Sequence, residues 1–200
     1  GRLMSLDEYL AFEEQSVIKH EYVAGEVYAM SGVTTRHNLI TLNFARSLHA
    51  PARGRGCKLF ATDVKLRVGD RVYYPDVILA CGRAADVDLI VEAPTLLVEV
   101  SSPSTRATDR REKLESYRRI ASLRTYLIVS QRRRHVLAYV RGPGGEWVRA
   151  EFAGQEEVPL PEIASGIGLD DIYDGVDLPP LAVGEGLDDG EFDDWDAEDC

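Results

Sequence analysis

Two stretches of sequence decide the fold of this chain: YYPDVILA at residues 73–80 and TLLVEV at residues 95–100. Both are nearly continuous runs of β-branched, aliphatic and aromatic residues, which is typical of short buried strands. Each run carries one carboxylate, Asp76 in the first and Glu99 in the second. An ionised carboxylate is costly to bury unless its charge is compensated. A divalent cation compensates two neighbouring carboxylates at once, and such hard oxygen ligands suit Mg²⁺ or Mn²⁺. The pair therefore predicts metal-assisted chemistry.

The size and composition of the chain predict one α/β domain. It has 200 residues, of which 44% are hydrophobic, enough for a proper core. We find no apolar run of 18 or more residues, so we expect no membrane span. Three cysteines, at 57, 81 and 200, are an odd number without CxxC spacing. We interpret Cys57 and Cys81 as buried thiols, and expect a reducing, cytoplasmic setting.

The charge of the chain is divided unevenly along its length. The net charge is −11, yet residues 151–200 hold 17 of the 34 acidic residues and none of the 23 Lys and Arg residues. Residues 1–150 are therefore mildly basic. This asymmetry favours contact with nucleic acid. We expect a folded domain over residues 1–178 and a disordered acidic tail over residues 179–200.

The first half of the chain predicts helices around a hairpin. Ser5 and Glu8 form a capping box for a helix over residues 6–14. Alternating residues at 20–24 and 26–30 flank Gly25 and predict a hairpin. Helical spacing continues over residues 35–50, and we expect Pro51 to end that helix.

The remaining pattern is dominated by strands. Strands are predicted at 57–60, 63–68 and 73–80, then at 95–100 after a polar loop over residues 82–94. A helix over residues 106–121 precedes strands at 124–130, 135–141 and 146–152. So many strands with few long helices predict one mixed sheet partly covered by helices, rather than a doubly wound fold.

Several motifs occur in one order along the chain. They are Val23-Ala24-Gly25-Glu26-Val27-Tyr28-Ala29-Met30, His37, Tyr74-Pro75-Asp76-Val77, Glu99-Val100-Ser101-Ser102-Pro103-Ser104-Thr105, Asp109, Lys113 and Tyr117. In this order and spacing the chain resembles the Uma2 family, a bacterial group within the PD-(D/E)XK restriction-endonuclease-like superfamily. The resemblance extends from about residue 6 to residue 173 and leaves out the acidic tail.

The resemblance implies both a fold and an activity. The fold is α/β, with a restriction-endonuclease-like core in which helices flank a central mixed sheet, preceded by the N-terminal helix and hairpin. The activity is endonuclease cleavage of nucleic acid, expected to be DNA, with Mg²⁺ or Mn²⁺ as cofactor. The metal ligands implied are Asp76, Glu99 and the backbone carbonyl of Val100. A homodimer is also an expectation, since members of the superfamily often work as dimers.

Three further residues are implicated less directly. Glu26 is expected to approach the site as a further carboxylate. His37 could bind the metal, donate a proton or bind phosphate, although a structural role for this histidine is favoured. The superfamily pattern also requires a lysine two positions after Glu99, where this chain has Ser101.

Two lysines could replace the missing one. Lys113 is the stronger candidate, because its four-carbon stem could return from the following helix to the metal site. A surface pair with Asp109 at i, i+4 is an equally weighted alternative. Lys65 is the second candidate, on the expectation that it shares one face of a strand with Asp63.

Other signals keep simpler interpretations. Ser104 and Thr105 are expected to cap a helix. The run Arg132-Arg133-Arg134 predicts a solvated turn, or else a phosphate-binding patch together with other arginines. These are Arg106, Arg110, Arg111, Arg118, Arg119 and Arg124.

Three functions remain open from the sequence. The leading one is a metal-dependent endonuclease. The second is a nucleic-acid-binding protein on a nuclease fold that cleaves weakly or not at all, inhibited by its acidic tail. The third is a structural or regulatory protein whose tail binds a protein partner.

Overall fold

The computed structural model of the chain describes residues 3–82, 90–101 and 107–179, with only the backbone of residues 107–110. Within these ranges the helices are α1 Leu6–Gln15, α2 Thr35–Gly54, α3 Ala107–Arg118 and α4 Leu169–Ile172, with a 3-10 turn at Pro161–Ile163. None of the described helices is long and apolar enough to cross a membrane.

The strands of the described residues form three sheets. They are β1 His20–Val23, β2 Glu26–Ala29, β3 Cys57–Ala61, β4 Lys65–Val68, β5 Arg71–Tyr73, β6 Val77–Cys81, β7 Ile90–Val91, β8 Leu96–Ser101, β9 Thr125–Ser130, β10 His135–Arg141, β11 Trp147–Ala153, β12 Glu157–Leu160 and β13 Ser165–Gly168. The orders are β11-β10-β9-β8-β6-β3, β2-β1-β5-β4-β7 and β12-β13.

The six-stranded sheet is the centre of the molecule. Its middle strands β8 and β9 run parallel, and the other pairs are antiparallel. Both faces are covered, which is why β8 and β9 are apolar almost throughout. One face packs Val77, Val98 and Val100 against α2 and the C-terminal elements. The opposite face packs Leu97 and Ile128 against α3. The predicted mixed sheet flanked by helices is confirmed, whereas the prediction of one sheet is wrong, because the described strands are divided among three sheets.

The N-terminal helix and hairpin form as predicted. Ser5 accepts the backbone N–H of Glu8, and Glu8 accepts that of Ser5, so the capping box is complete. The hairpin of β1 and β2 joins the five-stranded sheet through β5, where Tyr22 pairs with Val72. The five-stranded sheet therefore places the hairpin next to β5, which ends shortly before β6 begins.

The prediction of one strand over residues 73–80 is wrong. β5 ends at Tyr73 in the five-stranded sheet, and β6 begins at Val77 in the six-stranded sheet. Pro75 cannot donate to a strand ladder, and the Tyr74 N–H points to Glu21 Oε1 at 3.4 Å. Asp76 therefore lies at the crossing between two sheets.

Three other boundaries differ from the prediction. Pro51 lies inside α2, which continues to Gly54 because Ala52 is buried in the core. β4 begins only at Lys65, since Asp63 has φ of 65°, so Asp63 and Lys65 do not share a strand face. Residues 90–91 of the predicted loop form β7, which pairs with β4. The elements after β11 were not predicted.

Cys57 and Cys81 form a disulfide, contrary to the prediction of buried thiols, and only Cys57 is buried, since Cys81 is exposed at the end of β6. Antiparallel pairing of β3 and β6 sets Cys57 directly opposite Cys81, with 4.1 Å between the Cα atoms. Neither thiol is free, so the inference of a reducing compartment from free thiols loses its basis. The cytoplasmic location stays a prediction.

Some predictions fall outside the described residues. These concern Ser104, Thr105, Arg106, the side chains of Asp109 and Arg110, and the tail after Pro179. The division into a domain over residues 1–178 and a tail also stays a prediction.

Candidate active site

Asp76 lies where β6 begins and joins two layers of the molecule. Its Oδ2 accepts the backbone N–H of Val100 on β8 at 2.7 Å. Its Oδ1 accepts from Nε2 of His37, near the start of α2, at 2.7 Å. The ladder of β6 and β8 extends only as far as Val77 and Val98, so the side chain of Asp76 continues the contact between these strands.

Glu99 projects from β8 toward α3. Its Oε1 accepts from the Tyr117 hydroxyl at 2.9 Å, and Lys113 Nζ lies 3.2 Å from the same atom. Burial raises the pKa of Glu99 to about 7, with a further increase from Asp76 and an opposing effect from Lys113. Glu99 and Asp76 therefore lie close enough for their charges to repel.

Lys113 lies between two carboxylates. Its Nζ is 2.9 Å from Glu21 Oε1, on β1, and 3.2 Å from Glu99 Oε1. Burial lowers the pKa of Lys113, but Glu99 and Glu21 outweigh burial and hold the pKa well above its ordinary value. The ammonium therefore remains charged. Lys113 on α3 thus places a lysine beside Glu99, although the superfamily position for this lysine is occupied by Ser101.

The structure brings together Asp76, Glu99, Lys113 and His37 of the predicted site residues. Val100 joins them through its backbone N–H. Among the described residues, the hydrogen-bond partners of Glu99 are Lys113 and Tyr117, and not Lys65. The Lys65 Nζ instead lies over the ring of Tyr74, 5.6 Å from the ring centre. The alternative Asp109 pair for Lys113 falls on a side chain outside the description.

Glu26 is not part of this cluster. Its side chain is exposed at the hairpin end, where it accepts from the Tyr28 hydroxyl. In the described part of the chain, Glu26 hydrogen-bonds to Tyr28 and not to Asp76, Glu99 or Lys113. The contacts of Glu26 therefore do not support its predicted approach to the site from the N-terminal side. The hairpin instead contributes Glu21, four residues before Gly25.

Glu21 was missed by the sequence analysis. It lies on β1, whose alternating His20 and Tyr22 face inward. The period-2 pattern marks Glu21 as the opposite face of a half-buried strand, which ordinarily indicates solvent. Only the pairing of β1 with β5 brings it beside Tyr74, and only α3 brings Lys113 to it. These are tertiary contacts for which the local sequence carries no signal.

A second layer of polar contacts holds α3 against the five-stranded sheet. The Tyr73 hydroxyl donates to Glu112 Oε1 at 2.7 Å, and Arg71 Nε lies 2.9 Å from the same atom. The rings of Tyr73 and Tyr117 meet edge to face at 5.4 Å. These contacts fix the rotation of α3 and with it the direction of Lys113.

A buried network supports the Tyr74-Pro75-Asp76 segment. The Tyr74 hydroxyl donates to Glu13 Oε1 at 2.7 Å. Glu13 Oε2 is 2.9 Å from His20 Nδ1, and His20 O accepts from the Tyr9 hydroxyl at 2.6 Å. His20 is thus a structural residue that connects α1 to this segment.

A cavity of about 320 Å³ opens beside His37 and Asp76. Its walls come from α2, the loop before α2, and the segment around Tyr74. Lys19 and Asp63 form an ion pair on its wall.

The arginine patch remains a prediction. Arg118 and Arg134 lie over the rings of Tyr139 and Tyr173, at 5.8 and 5.7 Å from the ring centres. Arg134 also pairs with Asp170. These two guanidinium groups are therefore engaged with the protein.

The donor set fits a cation that retains several of its waters. Two carboxylates, Asp76 and Glu99, supply hard oxygen atoms, and their mutual repulsion and the burial of Glu99 favour a compensating positive charge. Among the residues that the structure describes, no cluster of three or more His, Cys, Asp or Glu side chains has metal-binding geometry. Mg²⁺ commonly binds through one or two carboxylates together with waters and substrate phosphates.

Comparison with known proteins identifies relatives along most of the chain. The family profile described as "Uma2: Putative restriction endonuclease" matches residues 6–171. Protein slr1290 of Synechocystis sp. (strain ATCC 27184 / PCC 6803 / Kazusa) is 31% identical over 176 residues, covering 86% of this chain and 93% of the relative. Protein sll1609 of the same organism is 30% identical over 159 residues, covering 77% and 90%.

A solved structure shares the fold. The crystal structure of a protein from Anabaena variabilis ATCC 29413, described as "a putative nuclease belonging to DUF820", superposes with a TM-score of 0.71 at 17% identity. The match covers 85% of this chain and 97% of that chain. The similarity establishes the architecture, and the site must be argued from the residues of this chain.

Proposed function

This chain belongs to the Uma2 family, and from that premise we propose that it is a divalent-metal-dependent endonuclease that hydrolyses phosphodiester bonds of DNA. One observation carries the proposal: Lys113 Nζ lies 3.2 Å from Glu99 Oε1, while Asp76 is fixed at the adjacent strand end by the Val100 N–H. Two carboxylates and a lysine thereby come from three separate elements: the start of β6, β8 and α3.

Asp76 and Glu99 would hold the cation, with the carbonyl of Val100 as a proposed third ligand. When bound, Mg²⁺ or Mn²⁺ supplies a bound water of lowered pKa and stabilises charge on the phosphate oxygens. The Val100 N–H and His37 orient the Asp76 carboxylate. Tyr117 orients the Glu99 carboxylate by donating to Oε1.

Lys113 would act on the reacting groups. Its charged Nζ is available to orient the attacking water or to stabilise negative charge that develops on the phosphate. The covering of the ammonium by Glu99, Glu21 and the ring of Tyr73, 5.9 Å from Nζ, limits its motion. A fixed donor loses little free energy to reorganisation during the reaction.

The cavity beside His37 supports a substrate position on the outer side of Asp76. Two of its wall residues, Ser31 and Asn38, are exposed and polar. A phosphate or sugar placed there would meet hydroxyl and amide donors. Since His37 donates Nε2–H to Asp76, its ring faces both the cavity and the carboxylate.

A second function is favoured by the residue at position 101. The strand that carries Glu99 has a buried serine at position 101 and no lysine, and Lys113 is engaged by two carboxylates. Both features are compatible with a nucleic-acid-binding protein that cleaves weakly or not at all. DNA binding without turnover in any divalent metal would favour this second function.

The test is cleavage of supercoiled plasmid and single-stranded DNA by the full chain with Mg²⁺, Mn²⁺ or EDTA. We expect metal-dependent nicking that is lost in Asp76→Ala and in Glu99→Gln. Asp70→Ala is the matched control, because Asp70 lies exposed in the turn before β5. Unchanged cleavage in either site variant would contradict the proposal.

A further inference from the structure

We propose that Glu21 is a positioning residue for the metal site: it takes up the charge of Lys113 and so leaves the carboxylate of Glu99 available to a divalent cation. This inference rests on the proposed function, because it concerns the same cation. Glu21 itself would touch neither the metal nor the substrate. It acts through Lys113.

The geometry of the ammonium favours this role. Lys113 Nζ is 2.9 Å from Glu21 Oε1, but 3.2 Å and 3.4 Å from the two oxygens of Glu99. Glu21 is thus the closer of the two carboxylates. A lysine shared in this way does not form an exclusive pair with Glu99.

The balance of charge explains why sharing matters. Without Glu21, the ammonium would neutralise Glu99 alone, and a cation would have to displace it. A cation next to an uncompensated ammonium is also repelled. With Glu21 present, Lys113 keeps a partner when Glu99 turns its oxygens to a metal.

Glu21 is held in place by rigid surroundings. It lies on β1, which pairs on one side with β2 and on the other with β5. Its Oε1 also lies 3.4 Å from the Tyr74 N–H, directly before Pro75 and Asp76. The same carboxylate therefore contacts both the lysine of the site and the segment that carries Asp76.

The experiment measures Mn²⁺ binding to the full chain by calorimetry, without nucleic acid. Glu21→Gln keeps the size of the side chain and an oxygen acceptor but removes the charge. We expect a loss of about tenfold or more in Mn²⁺ affinity, in the range seen when the supporting partners of a metal ligand are changed. Glu14→Gln is the matched control, because Glu14 is exposed on α1, and it should bind Mn²⁺ as the unchanged protein does.

A double-mutant cycle separates positioning from a general field effect. If Glu21 acts through Lys113, then Glu21→Gln should have little effect on Mn²⁺ affinity in a Lys113→Met background. An equal loss in both backgrounds would overturn the inference, since it would show that Glu21 acts only as a distant negative charge. Thermal unfolding of each variant checks that it folds, and Glu21→Asp, which restores the charge, should recover part of the affinity.

The outcomes distinguish this inference from the function on which it rests. Plasmid cleavage together with Mn²⁺ binding that is unaffected by Glu21→Gln would overturn the role of Glu21 and leave the endonuclease standing. Binding of Mn²⁺ that depends on Glu21, without cleavage of any DNA, would support the role of Glu21 and contradict the endonuclease. Absence of Mn²⁺ binding by the unchanged protein would overturn the inference.

Discussion

Asp76 Oδ2 accepts the backbone N–H of Val100 at 2.7 Å, across two neighbouring strands whose ladder stops short of both residues. A side chain thus replaces a backbone acceptor where the ladder between β6 and β8 ends, inside the central sheet. The contact joins Asp76, one proposed metal ligand, to Val100, which directly follows Glu99, the other. Asp76 therefore has a structural role in addition to its proposed role as a metal ligand.

Replacement of Asp76 should affect stability as well as cleavage. Asp76→Ala leaves the Val100 N–H without its acceptor in a buried strand, which costs about 1–3 kcal/mol of unfolding free energy. We expect this loss in urea unfolding, together with loss of cleavage. Asp70→Ala should change neither quantity. Full stability in Asp76→Ala would show that water replaces the carboxylate.

Replacement of Lys113 should destabilise the protein strongly. Lys113→Met leaves Glu99 and Glu21 without their shared cation, and breaking a buried ion pair typically costs about 3–5 kcal/mol. Because the side chain of Lys113 is 14% exposed, we expect the lower part of that range. Urea unfolding of Lys113→Met and of Lys65→Met measures the loss of unfolding free energy in each variant. Lys65→Met is the control, because the Lys65 ammonium lies over the ring of Tyr74. Equal losses of unfolding free energy in the two variants would show that the ion pairs of Lys113 do not stabilise the protein.

Glu99 should make stability depend on pH. Burial raises its pKa from 4.5 to about 7 in the folded protein. The folded state therefore binds the proton more tightly than the unfolded state, so the stabilising contribution is present below pH 4.5 and is lost as the pH rises through about 7. The difference amounts to at most about 3 kcal/mol.

The measurement is urea unfolding from about pH 4.5 to about pH 8 in EDTA, for the unchanged protein and for Glu99→Gln. We expect the slope of the unfolding free energy over this interval to be smaller in Glu99→Gln. Identical slopes would show that Glu99 has an ordinary pKa. Mn²⁺ should reduce the slope in the unchanged protein, because a bound cation favours the ionised carboxylate.

The disulfide should contribute to stability independently of the site. Cys57–Cys81 closes a loop of 24 residues, for which loop-closure entropy predicts a stabilisation of about 3 kcal/mol. Reduction with dithiothreitol, or the double substitution Cys57→Ser and Cys81→Ser, should lower the unfolding midpoint. Cys200→Ser is the matched control. No response to reduction would mean that the protein in solution carries free thiols.

The acidic tail should compete with nucleic acid. Residues 179–200 hold nine Asp and Glu residues and no Lys or Arg, so a protein ending at Leu178 should bind DNA more tightly at low salt. The difference should shrink as salt screens the charges. Fluorescence anisotropy with labelled DNA at two salt concentrations measures it. Equal affinity at low salt would remove the competition.

The sequence predicted those parts of the fold that depend on local pattern. Ser5 and Glu8 specify the start of α1 through contacts three residues apart, and Gly25, with φ of 99°, specifies the hairpin turn. The apolar runs around Glu99 predicted the central strands because both faces of the sheet are covered. In each case the deciding interactions lie within a few residues of one another.

Predictions failed where tertiary contacts override local preference. Residues 73–80 have one continuous strand pattern, yet Pro75 and the contact of Tyr74 with Glu21 divide them between two sheets. Pairing of Cys57 with Cys81 depends on the register of two strands that the sequence does not align. Lys113 was considered for the site, whereas Glu21 was not, because nothing near it in sequence indicates the lysine that it meets.

The long separation between Glu21 and Lys113 has a consequence for the newly made chain. Their contact joins β1, near the N-terminus, to α3, about 90 residues later, so it cannot form until α3 has left the ribosome. At about 5–20 residues per second, synthesis from Glu21 to Lys113 alone takes on the order of 5–20 seconds. Throughout that interval the growing polypeptide lacks the contact between Glu21 and Lys113, so Lys113 can join the two carboxylates only after β1 to β8 have been made.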